Sequence, residues 1–342
     1  MKWLTFAYPE QAHPVPRLGL LLDQTVVDLE RLQAWVQSSG RLPGPALPAS
    51  LFELIQAGPL AWAYTRSLVD ALEGADPRGV AAESGGPVGG PVGSSLGAVD
   101  LYPPLPRPMS LRDFYAFEAH VATAHANRGK EVPPEWYQFP VFYFSNPNAI
   151  FGPDEVIPYP ATTRELDYEL EVACIISKAG IDIPAEKAGE YIFGYTIFND
   201  WSARDVQRLE TRVGLGPAKG KDFASSLGPW VVTPDELSAR AAGRTGVYDL
   251  AMAARVNGKE RSRGNWKDIH YSFGEMIARA SAGAYLLPGD VLGSGTVGTG
   301  CLLELTRGQG PWLQPGDRVE LEVERLGVLA NRVAKLPAGG AG

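Results

Sequence analysis

This sequence predicts a β-rich α+β fold, and three observations carry that reading. Beyond Asp100 the chain is dominated by short β-type runs bounded by Pro and Gly: PVFYF, DYELEVACII, YTIFND, GPWVVT, LAMAARVNGKE, GDVLGSGTV and CLLELTR. Runs of that length between turn residues read as strands joined by hairpins, not by long crossovers. Asn257-Gly258, inside one of them, supplies the pair of residues tolerant of positive φ that a two-residue hairpin loop requires. Helical periodicity is confined to a few segments, and 39 Gly and 29 Pro in 342 residues mark a chain rich in turns. So many hairpins argue against a doubly wound parallel sheet.

From the N-terminus, RLGLLLDQTVVDLERL (Arg17 to Leu32) reads as two short strands about a turn at Asp23-Gln24. Between Leu51 and Leu72 apolar residues recur at helical spacing, and Pro59 splits the stretch into two short helices. SGGPVGGPVGSSLG, residues 84–97, lacks apolar periodicity and reads as a surface loop or linker. The expected organisation is a small β-containing N-terminal domain (1–83), a linker or loop (84–99) and a larger β-rich region (100–337). Two further helices are predicted within that region, AEKAGEYI at 185–192 and HYSFGEMIARAS at 270–281. No repeat of fixed period is visible.

With 31 basic against 39 acidic residues the formal charge is -8, which gives no basic footprint for nucleic acid or anionic lipid. Pro9, Glu10 and His13 interrupt the start of the chain before a signal-peptide core could form, and no apolar run approaches a membrane span. A cytoplasmic setting of bacterial type is the expectation. Cys174 and Cys301 sit in the apolar runs EVACII and GCLLEL, so buried reduced thiols are expected instead of a disulfide or thiolate metal site.

The residues that carry chemistry are acidic. Glu169 and Glu171 are two apart in LDYELEVACII, so on a strand both carboxylates share one face while Leu170 and Val172 take the other. A solvent-facing strand side would explain that pattern blandly. In a core, two like charges raise each other's pKa unless a cation compensates. Asp200 ends the apolar run YTIFND, well placed to enter a cleft, and Asp113 lies in RDFYAFEAH. Together the four would form an all-oxygen site suited to Mg2+, Mn2+ or Ca2+.

Sequence alone does not bring them together, but a resemblance does. LDYELE (166–171), IFGYTIFNDWSARDVQ (192–207), GKDFASSLGPWVV (220–232) and PGDVLGSGTVG (288–298) resemble, in order and spacing, the fumarylacetoacetate hydrolase superfamily, and in motif pattern its fumarylacetoacetase-like bacterial members. That resemblance implies a mixed β-sandwich or roll as the catalytic domain, a divalent metal on Asp113, Glu169, Glu171 and Asp200, and a homodimer. It implies Lys221 and Arg204 as cations that offset the site and hold a developing oxyanion. His120 is similar in position to the family's general base, with Glu304 as the carboxylate that orients it and His125 a less favoured competitor. Tyr115, Arg128, Tyr143, Gln207 and Thr296 fall at or near positions that hold the ligand. Ser225, with Lys221, matches a secondary metal or structural site. The sequence departs from the family at Thr211-Arg212, where fumarylacetoacetases carry a substrate-binding tyrosine; Arg212 could hold a carboxylate there.

The implied activity is hydrolysis of a carbon-carbon bond in a 1,3-dicarbonyl acid of the fumarylacetoacetate or acylpyruvate type, as in aromatic amino acid catabolism. Rivals are decarboxylation or isomerisation of a 2-oxo acid through the same enolate, hydration of an unsaturated 2-oxo acid, and a non-catalytic binding role. In several smaller relatives a Glu follows the His by three residues; here Thr123 does, and the distant Glu304 favours the hydrolase.

Overall fold

The computed structural model describes residues 1–9, 14–40, 42–82 and 89–335. Its N-terminal part comprises β1 (Lys2–Ala7), β2 (Arg17–Leu22), β3 (Thr25–Asp28), α1 (Leu29–Ser38), α2 (Leu51–Ala57), α3 (Pro59–Asp70) and β4 (Gly93–Ser95). There follow β5 (Leu111–Phe114), α4 (Glu118–Ala126), β6 (Phe142–Ser145), β7 (Val156–Pro158), β8 (Leu170–Ile176) and β9 (Ile192–Asn199). The remainder comprises α5 (Arg204–Glu210), β10 (Ser225–Val232), β11 (Ala251–Val256), β12 (Lys259–Asn265), α6 (Phe273–Ser281), β13 (Val291–Gly293), α7 (Leu302–Leu305), β14 (Arg318–Val323) and β15 (Gly327–Ala334).

Local chemistry explains several of these boundaries. Asp23, at φ 52, makes the turn between β2 and β3, and Asn257 (φ 52) and Gly258 (φ 75) make the one between β11 and β12. Where β3 ends, Asp28 caps α1 by accepting from the Glu30 and Arg31 amides, so the β-type reading of residues 29–32 gives way to helix. A Ser50/Glu53 capping box starts α2, and Gly58 turns the chain at φ 77 so that Pro59 opens α3. The expected helix at 270–281 begins after Ser272, which forms a capping box with Glu275.

Two sheets form the body. Among the described residues the larger has twelve strands, ten of them in the order β4-β3-β2-β1-β10-β9-β8-β13-β5-β6; the smaller runs β7-β15-β14-β11-β12. The main core lies between them, where Leu170, Val172, Cys174 and Ile176 of β8 meet Met252, Val319, Leu321 and Leu329 of the small sheet. On the opposite face of β8, Ala173 and Ile175 join Leu32 and Val36 of α1, Leu54 of α2 and Leu68 of α3 in a second core. The result is three layers, helices on sheet on sheet, with β8 buried on both sides.

Several expectations need correction. β1 pairs with β10, so residues on both sides of the expected 84–99 division share one sheet. Residues 83–88 lie outside the described residues, as do 336–337 at the end of the catalytic segment; within 89–99, β4 pairs with β3 and Val92 is fully buried, which a linker would not be. The 185–192 segment is a 3-10 helix, Ala185–Tyr191. GDVLGSGTV keeps only three residues as strand, and CLLELTR is not a strand at all: Leu302–Leu305 is a turn of helix, because the first two amides of that turn find an acceptor elsewhere, at Asp167. Both cysteines are free and buried. Among the described residues no helix is long and apolar enough to cross a membrane.

Candidate active site and metal centre

Strand register builds the acidic cluster. In the β8/β9 pair Leu170 lies opposite Asn199, and Asn199 Oδ1 accepts the Glu169 amide at 2.9 Å, so Glu169 and Glu171 flank the point where β9 releases Asp200. Asp113 enters from β5, which runs parallel to β13 with Asp113 opposite Gly293. A Cβ on Gly293 would come within 2.4 Å of Asp113 Oδ1, so the close approach needs glycine there. One oxygen from each of Asp113, Glu169, Glu171 and Asp200 lies within 4.8 Å of the others, and all four residues are buried.

The four carboxylates are not electrostatically equivalent. Lys221 Nζ donates to both Glu169 and Asp200, and Arg204 Nη2 reaches Glu169 Oε1 at 2.9 Å. Burial would raise the Glu169 carboxyl, but Arg204 and Lys221 outweigh it and hold it well below the usual carboxylate range. Burial and then the charge of Asp200 push Asp113 well up, and burial with Asp113, Glu169 and Asp200 pushes Glu171 well up. The mutual raising expected for the Glu169/Glu171 pair therefore falls on Glu171 alone. Lys221 stays charged despite burial because Asp200 and Glu169 face it. Tyr143 donates its hydroxyl to Asp200, and burial keeps that phenol protonated.

The donor set fits a hard divalent cation. Two buried carboxylate oxygens, Glu171 Oε2 and Asp200 Oδ1, have no hydrogen-bond partner among the described residues. The two cations at the cluster do not neutralise four acids, and an oxygen-only set selects Mg2+, Mn2+ or Ca2+ over zinc or copper.

A cavity of about 290 Å³ opens beside the cluster. Asp113, Glu169, Glu171, Lys221, Arg204 and His120 line it, and so do the five side chains expected to hold a ligand: Tyr115, Arg128, Tyr143, Gln207 and Thr296. Asp200 and Glu304 stand behind the lining. Glu304, from α7, accepts at 2.6 Å from Nδ1 of His120, which α4 carries, and both residues are buried. The Thr299 amide donates to the second Glu304 oxygen at 3.0 Å. Tyr115 packs edge-on against the His120 ring at 5.3 Å, and Thr296 Oγ1 reaches Glu171 Oε1 at 3.4 Å. Gln207 Oε1 accepts from Arg204 at 3.4 Å, while Arg128 has no ion-pair partner among the described residues. His125 also lines the cavity, with burial lowering its pKa.

Two sequence expectations are not supported by this geometry. Arg212 is exposed and absent from the lining, where Thr211 stands with Gly216 and Pro217, so no guanidinium replaces the missing tyrosine. Ser225, the first residue of β10, is also absent from it; its amide is spent on the Ala149 carbonyl. One residue went unnoticed in the sequence: Asp167, fully buried, which binds Arg204 Nε at 2.9 Å and the Leu302 and Leu303 amides at 2.8 and 3.0 Å. Its signal was the period of two in D-x-E-x-E, of which only the last two acids drew attention.

The family model for the fumarylacetoacetate (FAA) hydrolase C-terminal region matches residues 110–334. Among curated relatives, the chain is 28% identical over 323 residues to oxaloacetate tautomerase YisK of Bacillus subtilis, covering 92% of this chain and 95% of that protein. It is 32% identical over 226 residues to fumarylacetoacetase of Oryza sativa subsp. japonica, covering 52% of each. Among solved structures, fumarylacetoacetate hydrolase from Exiguobacterium antarcticum superimposes with a TM-score of 0.67 at 26% identity, covering 98% of this chain and 100% of that one.

Proposed function

The chain belongs to the fumarylacetoacetate hydrolase family, and from that premise we propose that it hydrolyses a carbon-carbon bond in a 1,3-dicarbonyl acid of the fumarylacetoacetate or acylpyruvate type. The observation that carries this reading is the buried His120–Glu304 pair beside the same cavity that the acidic cluster lines. A hydrolase needs a water-activating base in addition to an enolate-stabilising site.

Asp113, Glu169, Glu171 and Asp200 would hold a divalent cation, which supplies Lewis-acid polarisation of the substrate carbonyl. With Nδ1 engaged by Glu304, His120 offers Nε2 to the cavity as the acceptor of a water proton, and Glu304 stabilises the imidazolium that results. The water oxygen adds to the carbonyl carbon. When the tetrahedral adduct collapses, the carbon-carbon bond breaks and its electron pair leaves as an enolate. Lys221 and Arg204, both charged and desolvated, lie where that negative charge develops, and Gln207 adds a polar amide. The His120 proton then returns to carbon, which gives two acids, or an acid and a 2-oxo acid. Arg128, without an acid of its own, is suited to the far carboxylate of the substrate, and Tyr115, Tyr143 and Thr296 border the same space.

A second reading is tautomerisation or isomerisation of a 2-oxo acid through the same enolate, and the tautomerase match over 92% of this chain favours it. The two part on products. Purified protein with an acylpyruvate, chelated and then resupplied with Mg2+ or Mn2+, is expected to lose the diketone absorbance and release two acids only with metal. Exchange between keto and enol forms without cleavage would overturn the hydrolase in favour of the tautomerase. The proposal includes a homodimer, supported by Leu209, Val213 and Leu215, which lie 63%, 84% and 84% exposed on one segment beside the cavity; the mass in solution tests it.

A further inference from the structure

We propose that Asp167 is a positioning residue that brackets the water-activating pair to the metal centre, an inference that rests on the hydrolase reading above. The geometry is specific. Asp167 closes a two-residue strand, Leu166–Asp167, paired antiparallel with Ser202–Ala203, so its side chain meets Arg204, the next residue along. One oxygen accepts the Leu302 amide at 2.8 Å; the other accepts the Leu303 amide at 3.0 Å and Arg204 Nε at 2.9 Å, with Nη2 at 2.8 Å.

Each contact leads to a different half of the site. Leu302 and Leu303 open the single turn that carries Glu304, and the residue before them, Cys301, provides no side-chain cap. A four-residue helix has no stability of its own, so the acceptor that satisfies its first amides sets where it sits. That turn aims Glu304 at His120 Nδ1. The Arg204 guanidinium held by the same carboxylate reaches Glu169 Oε1 at 2.9 Å. Base and metal ligand are thus referenced to one buried anion. Asp167 touches neither the cavity nor any reacting atom, and its effect passes through Glu304 and Arg204.

The molecule supplies its own control. Asp28 is built alike, a buried carboxylate that accepts two amides at the start of α1 and pairs with Arg17, but it stands far from this chemistry in the fold. Asp167→Asn and Asp28→Asn are to be compared in the metal-loaded enzyme for thermal stability, kcat and KM on an acylpyruvate, Mn2+ affinity, and the His120 ring-proton resonances. An amide offers one accepting oxygen in place of two, so Asp167→Asn is expected to lower kcat about 10- to 100-fold, with KM and Mn2+ affinity changed less than about fivefold and the His120 Nδ1 proton signal shifted or lost. Asp28→Asn is expected to lose comparable stability with kcat and that signal intact. Equal behaviour of the two variants, with kcat within about twofold of wild type, would overturn the bracket. Should the wild type cleave no diketone, the hydrolase reading fails, while the His120 resonance still decides the bracket. Should Asp167→Asn not fold, amide exchange in the wild type decides it: protected Leu302 and Leu303 amides support the bracket, and free exchange refutes it.

Discussion

Glu171→Gln is expected to move the metal-free and metal-loaded proteins in opposite directions. The ligand oxygens lie within 4.8 Å of one another, and at an effective dielectric constant of about 20 two unit charges at that spacing repel by roughly 3 kcal/mol. Glu171 meets such repulsion from Asp113, Glu169 and Asp200, and it escapes part of it by holding a proton, at about 1.4 kcal/mol per pKa unit. Glutamine removes the charge and retains an oxygen for the Thr296 hydroxyl. The chelated variant should therefore gain about 2 kcal/mol over chelated wild type, roughly 3 °C in Tm for a chain of 342 residues. With Mg2+ or Mn2+ present the order reverses, because one of four anionic ligands is gone and affinity falls by about 100-fold or more. The pH dependence has a definite sign. Asp113 and Glu171 are raised above the ordinary carboxylate range, so their contribution is full below that range and is lost as pH rises through the elevated values. Glu169, held low, contributes oppositely, and its share is lost only as pH falls through its depressed value. Chelated wild type should lose stability as pH rises above the ordinary carboxylate range, and Glu171→Gln should flatten that decline. Scanning calorimetry with and without chelator, together with titration calorimetry of Mn2+, measures all of this. A variant less stable than wild type in both states, with unchanged Mn2+ affinity, would refute the argument and make the cluster a purely structural ion network.

Other outcomes follow from the same geometry. His120→Ala should retain Mn2+ and lose about 100- to 10,000-fold in hydrolytic kcat, read by steady-state kinetics beside metal titration. Lys221→Met should abolish turnover yet bind Mn2+ more tightly, because it removes a cation that now shares Glu169 and Asp200; weaker binding would place Lys221 among the supports the metal depends on. Arg128→Ala should raise KM for a dicarboxylic substrate with little change in kcat and leave a monocarboxylic acylpyruvate unaffected, a split read from paired saturation curves.

Hairpins were the most legible part of the fold, since Asp23 and Asn257-Gly258 encode their turns locally. Leu302–Leu305 was illegible for the opposite reason: CLLELTR is a short apolar run that periodicity cannot assign to strand or helix, and the acceptor for the first amides of its turn is Asp167, 135 residues earlier. A Gly- and Pro-rich stretch looks like a tether whether or not it carries a strand, and pairing of β1 with β10 leaves no local trace. At the site, the spacing of Glu169 and Glu171 gave their shared face, while Asp113 and Asp200 joined them only through family resemblance. The inequality of the four acids was hidden, because it depends on which of them Arg204 and Lys221 touch.

The place of β1 within the large sheet has a consequence for biosynthesis. The strand is made before any of its partners, and β2 soon covers one edge, but its other edge is divided: Thr5, Phe6 and Ala7 pair with Asp100–Tyr102, while Lys2 and Trp3 lie opposite Val232 and Val231. At about 5–20 residues per second, those last partners leave the ribosome tens of seconds after β1. Throughout that interval the nascent chain presents an open β-edge beside an apolar helical layer whose counterpart is still unmade. A chaperone that shields this edge should raise the yield of native enzyme, and expressing residues 1–99 alone should give a product that aggregates.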